Sequence, residues 1–135
     1  RGFFIEDDGG FQKPMEYWIG AMVFTPDAKM LITGSRDNTI RFFEMPTMNE
    51  LRVVRGHNGW VRSLVVSPDG KVLISAGDDN TIRFWDIATG RNFRTDKTHG
   101  GAVRGIALSP DGLRLASASW DRTVKLWEGG VEPAE

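Results

Sequence analysis

A chain of 135 residues, with 40% hydrophobic and 26% charged side chains, has the length and composition of one soluble globular domain. Its net charge of −1 excludes a general electrostatic affinity for nucleic acid or for anionic membranes. The lack of cysteine excludes disulfides and thiolate metal sites and leans toward an intracellular protein. No apolar run approaches the ~18 residues of a membrane-spanning helix, and no secretory leader pattern opens the chain. The first residue is Arg1 rather than Met, as expected of a processed or excised piece of something longer.

Taken in chain order, the predicted elements repeat. The turn Thr25-Pro-Asp-Ala-Lys29 precedes Arg36-Asp-Asn-Thr-Ile-Arg-Phe-Phe-Glu44. In the second copy, Trp60–Val66 is a β-branched run closed by the turn Pro68-Asp69-Gly70. Val72–Ala76 is a second run, ended by Gly77-Asp-Asp-Asn80. Thr81–Trp85 is a third, ended by Thr89-Gly90, and Asn92–Thr95 is a weaker fourth. The third copy repeats the turn at Ser109–Leu113 and the strand at Trp120–Glu128. Short β-rich runs with turn chemistry every ~8–12 residues predict antiparallel sheet, and no window carries a helical period. The middle runs, such as Val72-Leu-Ile74, alternate poorly between apolar and polar, as expected when both faces of a sheet are covered.

The copies share one period. Asp27, Asp69 and Asp111 are 42 residues apart, and no gap is needed between them. His57–Asp86 and His99–Glu128 agree at 14 of 30 positions; Met15–Glu44 and His57–Asp86 agree at 13 of 30. A fixed period of this size means that each copy is one supersecondary unit, stable only when stacked on its neighbours.

Gly56-His57 opening a repeat, Ser67-Pro-Asp-Gly70 in its first turn and Trp85-Asp86 at its close resemble the WD-repeat β-propellers. The third copy supplies His99, Ser109–Gly112 and Trp127-Glu128, and the likeness covers roughly residues 6 to 128. The resemblance implies an all-β fold of four-stranded antiparallel propeller blades, here three WD-type repeats. The repeat units fall at about 6–47, 48–89 and 90–128, with a tail at 129–135. It also implies a hydrogen-bonded chain within a blade, carried by His57, Ser75, Asp79 and Trp85, and again by His99, Ser117, Asp121 and Trp127. Tryptophan donates to serine, serine links to histidine, and the other histidine nitrogen meets the turn aspartate. The first copy keeps Thr33 and Asp37 but has Met15 and Phe43 at the other two positions, so it is expected to be a blade without this relay.

Histidine, serine and aspartate together suggest a catalytic triad, but the set recurs with its tryptophan at equal spacing, and no nucleophile-elbow pattern surrounds either serine. The expected role is structural. Asp78-Asp79-Asn80 lacks the rest of a calcium loop, and no P-loop or metal-spaced histidine pair is present. We therefore expect no catalytic residues, no cofactor and no metal.

Function should sit where equivalent loop positions differ between copies. Just before the turn aspartate stand Arg36, Asp78 and Trp120, three unrelated residues at one address. The start of the first strand adds Trp18 and Trp60, then Arg62 and Arg104, with Tyr17 beside them. Aromatic residues and arginine anchor protein interfaces, so this rim is the expected docking surface for proteins or peptides. Arg41, Arg83 and Lys125 repeat at one position and are expected to serve structural pairing. The competing reading is an enzymatic or ligand-binding propeller with a site in the central channel, which would need unrepeated acids or histidines at the inner strand ends. Nucleic acid is an unlikely partner for a nearly neutral chain. Rings of this kind commonly close with about seven blades, so three blades form a partial ring. The missing blades come from a longer parent chain, which the repeat phase favours, from self-association, or from another chain. In that phase, Phe3, Phe4 and Phe11 lead into an outer strand.

Overall fold

The computed structural model describes residues 13–129. Among them, eleven strands form three antiparallel sheets and there is no helix. The first sheet is β1 (Ile19–Phe24), β2 (Met30–Ser35), β3 (Thr39–Glu44) and β4 (Asn49–Arg55), in that order. The second is β5 (Val61–Val66), β6 (Val72–Gly77), β7 (Ile82–Asp86) and β8 (Asn92–Asp96). The third holds β9 (Val103–Leu108), β10 (Arg114–Ser119) and β11 (Val124–Glu128). The four runs expected in the second copy are the four strands of the second sheet. The expected outer strand near Phe3, Phe4 and Phe11, and the tail beyond Gly129, lie outside the described residues.

Repeated turn chemistry sets the hairpins. In the first turn of the second sheet, Ser67 Oγ donates to Asp69 Oδ1 at 2.6 Å and accepts from the Val72 N–H at 3.0 Å. The Lys71 N–H donates to the same Asp69 oxygen at 3.0 Å. Thr25–Asp27 and Ser109–Asp111 repeat the arrangement. Each of these turns needs one left-handed residue, which Gly70 and Gly112 supply freely, while Ala28 is held at φ 61°. The next hairpin turn needs another, taken by Asn38, Asn80 and Arg122. Asparagine tolerates this backbone better than most side chains, which accounts for Asp-Asn-Thr in two copies.

Successive sheets stack face to face. The forward face of the first sheet, with Ile32, Ile40 and Phe42, packs on Val61, Leu64, Leu73 and Trp85 of the second. The forward face of the second, with Ile74, Ala76, Ile82 and Phe84, packs on Val103, Leu115 and Trp127 of the third. Every residue of β6 is buried, because this strand has a neighbour on both sides. Burying each large apolar side chain contributes about 1.5–3 kcal/mol. Gly34 lets the sheets close: a Cβ there would lie 2.4 Å from Val61 Cγ1. Polar links also cross between sheets. Arg52 donates to the Ile87 and Ala88 carbonyls at 2.8 and 3.0 Å, and the Ile106 N–H donates to Ser63 Oγ at 3.1 Å.

Sheet and sequence repeat are out of phase. Strand β4 lies in the repeat unit that begins near residue 48, yet it completes the first sheet; β8 stands likewise to the unit that begins near 90. The first and second sheets therefore each borrow their outermost strand from the repeat that follows.

Candidate protein-interaction surface

The relay residues come together in both later sheets. Trp85 Nε1 donates to Ser75 Oγ at 2.8 Å, and Ser75 Oγ lies 2.6 Å from His57 Nε2. His57 Nδ1 lies 3.0 Å from Asp79 Oδ2, which also accepts from the Asn58 N–H at 2.9 Å. In the third sheet the Trp127–Ser117, Ser117–His99 and His99–Asp121 distances are 3.3, 2.7 and 2.9 Å. Burial acts to raise the Asp79 pKa, but the hydrogen bonds from His57 and Asn58 and the charge of His57 outweigh it. The carboxyl is held well below its ordinary value. Asp121 is also depressed, chiefly by hydrogen bonds from Thr123 and His99.

Ser75 is 0% exposed and the His57 ring is equally enclosed, so no substrate reaches this serine. The relay ties the outer part of each sheet to the turn that carries Asp79 or Asp121. A fully bonded buried network of this kind rigidifies its surroundings.

The first sheet solves the same problem differently. Thr33 and Phe43 are buried, and Asp37 has no histidine. Its carboxylate accepts from Ser35 Oγ, from Thr39 Oγ1 at 2.7 Å and from Arg41 Nη1 at 3.2 Å. Arg41 also pairs with Glu50 at 3.3 Å. Arg83 reaches Asn92 Oδ1 at 3.1 Å, and Lys125 donates to the Thr98 carbonyl at 2.8 Å.

The rim residues fall into two groups. Backbone bonds of 2.9 Å pin the Arg36 N–H to the Trp18 carbonyl, the Asp78 N–H to that of Trp60, and the Trp120 N–H to that of Ala102. One address thus holds three different side chains in one setting. The guanidinium of Arg36 lies 5.0 Å from the Trp18 ring and 5.7 Å from the Trp60 ring. The two rings are 6.3 Å apart. Arg62 stacks on Trp60 at 3.7 Å and holds Asp78 with two bonds of 3.0 and 2.9 Å. Trp18, Arg36, Trp60, Arg62 and Asp78 therefore form one ladder. The second group is Arg104 over Trp120 at 4.4 Å. Tyr17 meets Arg41 at 5.5 Å and lines one recess with Trp18 and Arg36 of the ladder.

Trp18 and Trp120 are 67% and 70% exposed. Trp60 is half-buried; its Nε1 has no partner and lies where a Cβ on Gly20 would come within 2.3 Å. Its ring therefore serves as the ladder's wall, packed against β1.

Arg62 and Arg104 reach the rim because of irregular pairing. Val61 and Ser63 pair with Gly77 and Ala76, and Val103 and Gly105 pair with Ser119 and Ala118, leaving both arginines unpaired in a bulge. Gly20 holds the same place in β1. A bulge re-aims one side chain without ending the strand. The break in period-two alternation is its only trace in the sequence.

Among the described residues, no three His, Cys, Asp or Glu side chains come together to hold a metal ion. No helix there is long and apolar enough to cross a membrane.

Comparison with known proteins identifies the architecture. The family model described as WD domain, G-beta repeat matches residues 13–44, 48–86 and 90–128. Among solved structures, the chain is similar to one described as the structure of U3-55K and to one described as the crystal structure of RRP9 WD40 repeats. Each has 28% identity and a TM-score of 0.81, over 86% of this chain. The chain spans 37% of the length of each. Such repeats generally mediate protein–protein interaction as non-catalytic scaffolds. Three matched repeats, stacked sheets of WD40 blade form and the likeness to solved WD40 proteins together make this chain a member of the WD-domain, G-beta repeat family.

Proposed function

We propose that this chain is a non-catalytic scaffold that docks proteins or peptides on the rim bearing Tyr17, Trp18, Arg36, Trp60, Arg62, Asp78, Arg104 and Trp120. The exposure of Trp18 and Trp120 carries the reading, since each large apolar ring stands in water with a guanidinium against its face. Aromatic and arginine side chains held in place before binding lose little freedom on docking, which is the property of an interface anchor. The repeats at 6–47, 48–89 and 90–128 act as one support for that rim, and the two relays stiffen the turns beneath it. The lack of cysteine supports an intracellular setting.

The test is recovery of partners on the immobilised chain in wild-type, Trp18→Ala and Trp120→Ala forms. A saturable set of proteins should bind the wild type and be lost from the variants, while their circular dichroism stays unchanged. Equal recovery by all three forms would remove the rim as the docking site. A steep loss of binding with salt, together with recovery of nucleic acid, would replace protein as the partner.

A further inference from the structure

The address just before the turn aspartate reads Arg36, Asp78 and Trp120, and the sheets treat its charge differently. In the second sheet Asp78 receives two bonds from Arg62, at 3.0 and 2.9 Å, and Arg62 lies over the Trp60 ring. In the first sheet the charge is reversed. Arg36 stands against Trp18 and Trp60, and among the described residues its guanidinium meets no carboxylate and no hydrogen-bond acceptor. The acid next to it in the chain, Asp37, is engaged by Ser35, Thr39 and Arg41. The position that matches Arg62 is Gly20, and Trp60 fills the space in front of it: a Cβ there would lie 2.3 Å from Trp60 Nε1. No side chain of the first sheet can answer Arg36 from that position.

Two guanidiniums and one carboxylate thus gather around Trp60, at the seam between the first and second sheets. A second carboxylate would complete the alternation of charge. Stacking on an indole covers the face of a guanidinium and leaves its edge N–H groups, which take a carboxylate as a two-pronged fork. A cation held in this way loses little freedom when its partner arrives. The charge of the seam chooses between anions. One carboxylate balances it, whereas a phosphate group brings about −1.5 to −2 at pH 7 beside Asp78. The address stays open when both flanks are occupied. Asp78 holds it in the sheet that has a neighbour on each side, its side-chain bonds stay within that sheet, and 29% of the side chain remains exposed.

We propose that Arg36, backed by Trp18 and Trp60, receives the carboxylate of an aspartate or glutamate on a docked peptide or protein. This inference rests on the rim as the docking surface and names the partner group that the first seam takes.

The probe is hexaglutamate carrying a fluorophore, titrated with the whole chain and followed by fluorescence anisotropy. Hexaglutamine is its neutral counterpart, and a peptide of alternating phosphoserine and glycine with the same net charge is its phosphorylated one. Hexaglutamate should bind and hexaglutamine should not. Arg36→Gln should weaken binding by at least about tenfold, the scale of one charge-assisted fork. Asp78→Asn, which releases Arg62 to the seam, should strengthen it by at least about threefold. Glu44→Gln, which removes one negative charge at the far end of β3, should leave it unchanged. Arg36 and Glu44 are exposed and the Asp78 backbone keeps its bond to Trp60, so circular dichroism should match wild type in all three variants. No binding of hexaglutamate, tighter binding of the phosphorylated peptide, an unchanged affinity in Arg36→Gln, or an equal gain in Asp78→Asn and Glu44→Gln would overturn the proposal. Partner proteins kept by Arg36→Gln but lost from Trp18→Ala and Trp120→Ala would overturn it alone, whereas recovery by all of these forms would remove the docking rim itself.

Discussion

The relay makes a quantitative prediction at Trp85→Phe. The substitution keeps an aromatic ring at a site that is 1% exposed and removes the donor to Ser75 Oγ at 2.8 Å. Ser75 retains His57, 2.6 Å away, so one neutral hydrogen bond is lost and the hydroxyl keeps one partner. That loss costs about 0.5–1.5 kcal/mol. The space vacated by the smaller ring adds about 1 kcal/mol, the scale of one or two buried methylenes. The expected total is about 2 kcal/mol. The first sheet shows a way to lower it, because Phe43 is accompanied there by Met15, not histidine, and Asp37 is held by Arg41. In the second sheet Arg83 already stands 3.9 Å from Asp79 Oδ2. Adding His57→Met to Trp85→Phe should therefore cost less than the sum of the single variants, with a coupling of about 1 kcal/mol. Urea titration followed by far-ultraviolet circular dichroism, at a concentration where all forms have one mass, measures all three. Strictly additive single effects would refute the account of the relay as one linked unit, and an unchanged midpoint for Trp85→Phe would refute the bond itself.

Other positions give simpler tests. Asp79 is held below its ordinary pKa of 3.8 in the folded chain, so the folded state binds fewer protons than the unfolded one. Its contribution is present above about pH 4 and lost as the pH falls through and below that value. Asp79→Asn should cost about 1–3 kcal/mol at pH 7 and flatten the loss of stability in acid, as read from urea midpoints at pH 7, 4 and 3. Gly20→Ala would set a Cβ 2.4 Å from the Val61 carbonyl oxygen, which is backbone and cannot swing aside. It should destabilise by about 1–3 kcal/mol in the same titration. Ala28→Gly relieves a left-handed alanine and should stabilise by about 0.5–1 kcal/mol. Trp120→Ala should leave the melting temperature nearly unchanged, because its ring stands mostly in solvent.

Much of this architecture was legible from the period of 42 residues. Turn signals at Thr25, Ser67 and Ser109 marked the hairpins because serine or threonine with aspartate two residues on makes the same local bonds wherever the pair occurs. The relay partners could be named from the family resemblance, whose pattern places a donor or acceptor at each of those positions. Other features depend on neighbours that no single stretch displays. The bulges at Arg62 and Arg104 are a matter of pairing with β6 and β10, and a period-two pattern cannot tell which residue is skipped. The partnership of Arg41 with Asp37 arises because both leave the same hairpin on one face. Trp18 and Trp60 looked equivalent in sequence, at the same place in the repeat, yet one is exposed and the other packs against Gly20 of the preceding sheet. The strand Asn92–Thr95 was legible as the fourth of the second sheet, although it lies past residue 90, where the next repeat unit begins.

That borrowing has a consequence for how the molecule comes apart. Because β4 precedes β5 in the second repeat but hydrogen-bonds to β3 of the first, neighbouring repeats are clasped like links of a chain. Peeling one repeat from the stack must also strip the edge of the sheet before it. Opening is thereby shared between neighbours. Amide hydrogens of β3 and β7 should exchange with solvent at rates set by the repeat that follows each, and a cut placed between repeats would damage two sheets where a cut inside a hairpin turn damages one.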